Sequence, residues 1–260
     1  MDLVEARLQG FESATRHPWE RARLAIVSRL ISRYAPIAPG TAVIDVGCGD
    51  TFVAESLAKQ YPSAHFFAVD SAFTPALITT FTARLTVSNL SLLASLDVVP
   101  TDRAASIILL MDVLEHVDDD RGLLRNLLSR SFFRDSTRLL ITVPSYAALF
   151  CAHDRFLGHF RRYTTGSLQV VLGAAGLEAV RDGHFFLTLV PARLLQLLKE
   201  RVIGTRGEAV EGISGWRSGD SLARLLAGIL EWDGRLGLAL GRLGLSLPGL
   251  SNFAICRRSA

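Results

Sequence analysis

The chain has 260 residues, 49% of them hydrophobic and 20% charged, enough to bury one substantial core and to form a single domain. Mean hydropathy is +0.31, yet no stretch of about 18 uncharged apolar residues occurs, which argues against a membrane span. The net charge of +3 comes mostly from arginines scattered along the chain, so nucleic acid is not expected as a partner.

The first residues, MDLVEARLQGFESATRHPWERAR, are charged throughout and carry no apolar signal core. Cys48, Cys151 and Cys256 are far apart and odd in number, so a reducing, cytoplasmic setting without a disulfide framework is expected. A helix is expected from Pro18 to Tyr34, where Ala22, Ile26, Val27, Leu30 and Ile31 recur at helical spacing behind a first-turn proline. TAVIDVG (41–47) reads as a buried strand ending in glycine, followed by a short helix over 51–60. HFFAVD, LSLLAS, ASIILLMD and RLLITVP read as four more strands, with helices between them in TPALITTFTARL and DDRGLLRNLLSR. The last helix of this series, TTGSLQVVLGAAG, should end at Gly176, and two strands remain in LEAVRDGHFFLT and SNFAICRR. Strands that are nearly continuous apolar runs and alternate with helices predict a mostly parallel sheet covered on both faces. In such a sheet ligands sit beyond the carboxyl ends of the strands, so the chemistry should lie just after them.

VIDVGCGDTF (43–52) is the first such place. A dinucleotide turn wants a small residue where Phe52 stands, and no lysine follows for a phosphate loop. What remains is Asp45-x-Gly47-x-Gly49 after one strand and Asp70 at the end of the next, 21 residues beyond Gly49. Bare glycines let the backbone approach a ligand closely, and a carboxylate suits the two hydroxyls of a ribose. Taken singly, the glycines are also compatible with a plain tight turn, and Asp70 with a helix N-cap.

Four blocks, VIDVGCGD, FFAVD, IILLMDVLEHVDD and GHFRRYTTGSLQVVLGAAGLE, together resemble the class I S-adenosylmethionine-dependent methyltransferases, including those of ubiquinone, menaquinone and glycan pathways. The resemblance implies a Rossmann-like, doubly wound, seven-stranded sheet and S-adenosylmethionine as cofactor. It implies cofactor contacts from Asp45, Gly47, Gly49, Asp70, Leu96, Asp97, Met111 and Asp112. Residues 1–36 would supply lid helices, with His17 and Trp19 closing the site and Arg16 or Arg23 meeting the cofactor's carboxylate. One departure is Thr51, where many members have a third glycine.

His116 and His159 are the candidate catalytic bases, because a histidine titrating near neutrality can take a proton from a hydroxyl. The resemblance also leaves open a divalent metal on Asp112, Glu115, His116 and either His153 or His159, although the working assignment has no metal. Arg161, Arg162 and Tyr163 are the candidate acceptor-binding residues, since the planar guanidinium matches a carboxylate or phosphate; the plainer alternative is a loop whose arginines pair with acids such as Asp154.

Residues 190–249 form a long insertion, expected as a helical cap. In its second helix Arg224, Glu231, Arg235 and Arg242 make a narrow polar stripe on an otherwise apolar segment with Gly234, Gly237, Gly241 and Gly244. Such a surface needs a cover: the cap's own interior, a second subunit in a homodimer, or peripheral contact with a membrane or lipid chain. The expectation is a methyltransferase acting on oxygen of a small, lipid-linked or saccharide acceptor. Its rivals are a metal-assisted enzyme for a diol or quinol and a cofactor-binding scaffold subunit without catalysis.

Overall fold

The structure, a computed structural model, describes residues 16–100, 102–203 and 220–259. It begins with helix α1 (Pro18–Tyr34), capped by the His17 ring, which accepts a hydrogen bond from Trp19 N at 3.2 Å. Strand β1 (Ala42–Val46) follows, then α2 (Phe52–Gln60), β2 (His65–Val69), α3 (Pro75–Thr82) and β3 (Leu90–Leu93). The second half holds β4 (Ala105–Met111), α4 (Asp120–Ser129), β5 (Arg138–Pro144), α5 (Ala152–Phe156), α6 (Thr165–Ala175), β6 (Leu177–Phe185), α7 (Val190–Ile203), α8 (Asp220–Arg242) and β7 (Ser251–Arg258). The seven strands lie in the order β3-β2-β1-β4-β5-β7-β6. β1 to β5 are parallel, and β7 is antiparallel to both β5 and β6.

The apolar runs of β1, β4 and β5 are explained by their surroundings, since each is covered on both faces. One apolar cluster includes Ile26, Leu30, Phe66, Leu109 and Leu140 beneath α1 and α2. The other includes Ile44, Ile108, Leu124, Ile141 and Leu172 beneath α4 and α6. α6 is capped by Thr164, whose hydroxyl accepts from Ser167 N, and stops at Gly176 with φ +86°, the left-handed terminator expected from the sequence.

Strand register gathers the chemistry. Val46 pairs with Val69 and Leu110, and Met111 with Thr142, so four strands end together. The segments starting at Gly47, Asp70, Asp112 and Ser145 therefore share one edge of the sheet. Strand order reverses between β1 and β4 at the same edge, which is where an open parallel sheet presents its crevice.

The insertion divides in two. α8 packs against α1 and the face of β6, while α7 packs near the short turns 147–149 and 187–189. Its α8 half thus completes the cover of the sheet, and its α7 half sits beside the crevice. The segment between the two helices lies outside the described residues.

Candidate active site

A cavity of about 630 Å³ opens at this edge, within the range for a site that holds a small molecule. Its floor is the glycine turn. Gly47 and Gly49 adopt φ +69° and +59°, and Thr51 follows at φ +67°. A Cβ on Gly47 would stand 2.6 Å from Val113 Cγ2, so the turn is bare because the chain folds tightly there. Thr51 holds the left-handed conformation that a glycine would take freely, so the expected departure costs the loop strain without changing its shape.

Asp70 joins the second strand to this turn. One carboxylate oxygen accepts from Gly49 N at 3.0 Å and the other from Ala72 N at 2.9 Å. It is not a helix N-cap; Thr74 caps α3, its hydroxyl accepting from Leu77 N. Met111 and Asp112 also line the cavity. Asp112 stands at φ +57°, and its carboxylate accepts from Thr142 Oγ1 at 3.1 Å and from Arg23.

α1 supplies a wall. His17, Trp19 and Arg23 all line the cavity, with the Arg23 guanidinium 4.3 Å from the Trp19 ring centre. Arg16 is turned away to Asp50 and packs over Phe52 at 4.4 Å.

The far end of the cavity is a compact polar cluster. Glu115, His116 and His159 offer ligand atoms all within 4.8 Å of one another. The two imidazoles meet edge to face with centroids 4.6 Å apart. The Glu115 carboxylate is fully buried and neither oxygen has a hydrogen-bond partner among the described residues. Burial, reinforced by Asp112, pushes its pKa well above the usual carboxylate range. Asp154 organises the opposite side: it accepts from His159 Nδ1 at 2.9 Å, from Arg162 Nε at 2.9 Å and from Cys151 N at 2.9 Å. Burial opposes its ionisation, but the His159 and Arg162 hydrogen bonds outweigh it and hold the carboxylate well below its usual pKa. His153 is neutral at physiological pH, its pKa lowered to about 4 by burial and by Arg193.

Apart from Arg162, the remaining sequence-derived residues fall outside the cavity wall. Asp45 is buried on β1 with neither carboxylate oxygen hydrogen-bonded among the described residues; burial raises its pKa to about 7, against the pull of Arg23. Leu96 and Asp97 form a short turn in which Asp97 is exposed and held by Arg130, away from the lining. Of the expected acceptor-binding trio only Arg162 reaches the cavity, and it is committed to Asp154 and to the Ser145 carbonyl at 3.1 Å. Arg161 pairs with Asp118 and Asp120, and the Tyr163 hydroxyl donates to Asp120 at 2.8 Å. The alternative of arginines paired with nearby acids thus describes Arg162 with Asp154, while Arg161 and Tyr163 are held by Asp118 and Asp120 just after the DVLEH block. Sequence reasoning missed Asp154, Leu189 and Arg193 as wall residues. Only Asp154 carried a signal, standing five residues before His159.

A family model described as "Methyltransferase domain" matches residues 19–182. The chain belongs to this family. With its strand order it is a class I methyltransferase, the kind of enzyme that takes its methyl group from S-adenosylmethionine. No curated protein sequence matches the chain. Solved structures share the fold. One is a chain from the complex of the Haloferax volcanii Trm112 methyltransferase activator with a methyltransferase, at TM-score 0.57 and 14% identity, covering 99% of this chain and 95% of that one. Another is coclaurine N-methyltransferase bound to N-methylheliamine and SAH, at TM-score 0.54 and 16% identity, covering 95% and 73%. A third is phosphoethanolamine N-methyltransferase 2 of Haemonchus contortus in complex with S-adenosyl-L-methionine, at TM-score 0.55 and 13% identity, covering 93% and 53%.

Proposed function

We propose that the cavity binds S-adenosylmethionine over the glycine turn and transfers its methyl group to oxygen of a small, partly apolar acceptor. The observation that carries the cofactor assignment is the joint between Gly49 N and the Asp70 carboxylate. Each Asp70 oxygen accepts one backbone N–H and keeps acceptor capacity for the hydroxyls of a ribose. Two further features fit the same group. The turn is stripped of side chains where a ligand must come close, and Asp45, on the strand just before it, is a buried carboxylate with no hydrogen-bond partner among the described residues. Gly47, Gly49, Asp70, Met111 and Asp112 would hold the cofactor, with Trp19 excluding water above it.

When bound, the sulfonium supplies the electrophilic methyl; the chain's task is to hold an acceptor in line and to receive a proton. His159 is suited to the second task. Asp154 fixes its Nδ1, leaving Nε2 for an acceptor hydroxyl beside Glu115 and His116. Leu157, Leu189 and Leu250 line the same end, which favours an acceptor with an apolar part.

A second reading is supported by one observation. The Glu115, His116 and His159 set has the composition of a divalent-metal site, and the Glu115 oxygens are orphaned. A metal there would orient an acceptor hydroxyl and lower its pKa.

Calorimetric titration with S-adenosylhomocysteine, with and without a chelator, tests both readings. Micromolar binding indifferent to chelation is expected. Asp70→Ala should weaken it by at least about tenfold, the value of one or two lost charge-assisted hydrogen bonds. Unchanged affinity in that variant sinks the ribose assignment, and affinity or turnover lost on chelation selects the metal reading.

A further inference from the structure

α8 carries an apolar face that the described residues leave uncovered. Ala223, Ala227, Leu230 and Gly234 turn inward against α1 and β6. On the outer side Leu222, Leu225, Ile229 and Trp232 recur at intervals of three, four and three, and are 44%, 62%, 45% and 63% exposed. Leu226 and Leu240, one position further round the helix, are half-buried and widen the face beyond the two-position seam of a coiled coil.

Charge decides what this face fits. Its polar edge carries Arg224, Arg235 and Arg242, with Arg21 and Arg29 of α1 alongside; Asp220 is shared by Arg21 and Arg224 and Glu231 by Arg29 and Arg235, so two carboxylates face five guanidiniums and the edge stays net positive. Pairing of two copies through this face would bring two arginine-rich edges together, a like-charge arrangement that opposes association. An anionic bilayer offers the complementary sign, and a wide Leu/Ile/Trp face bordered by arginine is the pattern of an interfacial helix. No helix among the described residues is long and apolar enough to cross a membrane, so the contact is peripheral.

We propose that the outer face of α8 docks the protein on an anionic phospholipid surface. The helix is also tied to the cavity mouth. The buried Asp233 carboxylate accepts from Thr188 N at 2.9 Å and Thr188 Oγ1 at 2.8 Å, fixing the turn whose Leu189 lines the cavity. Docking would thus engage the same helix that fixes one wall residue of the cavity.

The test is flotation of the full chain with vesicles of phosphatidylcholine alone and with phosphatidylglycerol added, beside sedimentation equilibrium without lipid. Flotation with the anionic vesicles only is expected. Trp232→Glu with Ile229→Glu, both on the exposed face, should abolish it with an unchanged circular dichroism spectrum. Arg224→Gln, Arg235→Gln and Arg242→Gln together should weaken partitioning roughly a hundredfold, at about fivefold for each arginine near an anionic surface. No flotation, equal flotation with neutral vesicles, or flotation that survives the Ile229 and Trp232 substitutions would each overturn the proposal. So would a dimer that Ile229→Glu dissociates without any lipid binding, which would make a second copy the cover.

Discussion

Gly47 is held by two constraints at once: φ is +69°, and Val113 closes the space where a Cβ would lie. Gly47→Ala should therefore cost about 2–4 kcal/mol, combining left-handed strain with overpacking. Because Val113 borders Asp112, the displacement also reaches the cavity. Urea unfolding beside titration with S-adenosylhomocysteine checks both effects, and a variant of undiminished stability contradicts this account of the turn. Residue identities at strand ends were the legible part of the site. Gly47, Gly49, Asp70, Met111 and Asp112 all come to the crevice because parallel register aligns the ends of β1, β2 and β4. Arg161 and Tyr163 were not legible, because their partners Asp118 and Asp120 lie some forty residues away and only the fold brings them together. Asp97 is likewise engaged, paired with Arg130 at the end of α4. A sequence shows which groups can bind a ligand; competition from the rest of the protein decides which remain available.

At the scale of elements, helix propensity and packing oppose each other within α8. Gly228 has nothing within 4 Å of an added Cβ, whereas at Gly234 that atom would fall 2.2 Å from Ile26 Cδ1 and 2.7 Å from Ile26 Cγ1. Gly228→Ala should gain about 0.5–1 kcal/mol from helix propensity alone. Gly234→Ala gains the same and then loses about 1–3 kcal/mol by driving α8 off the fully buried Ile26 of α1. Thermal melts of the two single variants measure the difference, and equal behaviour would mean that α8 does not depend on close approach to α1. The glycine spacing suggests close packing of another helix, which holds at Gly234 against α1, whereas Gly237 and Gly241 meet His184 and Arg181 of strand β6. Gly244, at φ +80° past the end of the helix, belongs instead to its termination. Strand limits for β5 and β7 agree with the apolar runs read from sequence, since a run buried on both faces marks its own ends. The short α5 was missed, as five residues give no periodicity to read. The two helices of the insertion share the 187–189 turn, while α8 alone also packs on α1 and β6, a tertiary outcome that composition does not encode.

For the whole molecule, the buried carboxyls set how stability depends on pH. Asp45 ionises near ~4 in an unfolded chain but at about 7 in the fold. Between those values the unfolded chain gives up a proton that the fold retains, so stability falls as pH rises through this window and levels off above it. Glu115, raised by burial and by Asp112, acts in the same direction. His153 acts in the opposite direction: with its pKa lowered to about 4, the stability it contributes above ~6.5 is lost as pH falls toward its folded value. Asp154, held low by His159 and Arg162, adds a further loss on the acid side, below the usual carboxylate range. Two raised carboxyls oppose three lowered histidines, His17, His153 and His184, so the decline due to the carboxyls is read as the difference between each carboxyl variant and the wild-type protein from pH 5 to pH 8. Asp45→Asn should reduce that decline by on the order of 2–4 kcal/mol, roughly 5–10 °C in Tm for a chain of this size. Glu115→Gln should reduce it further, and His153→Gln should steepen it. Scanning calorimetry from pH 4 to 9 on the protein and these three variants reads the signs directly. A wild-type Tm that rises between pH 5 and 8, unaltered by Asp45→Asn, would mean that Asp45 is already ionised in the fold. The cradle under the glycine turn would then present a fixed negative charge to its ligand at every pH where the enzyme works.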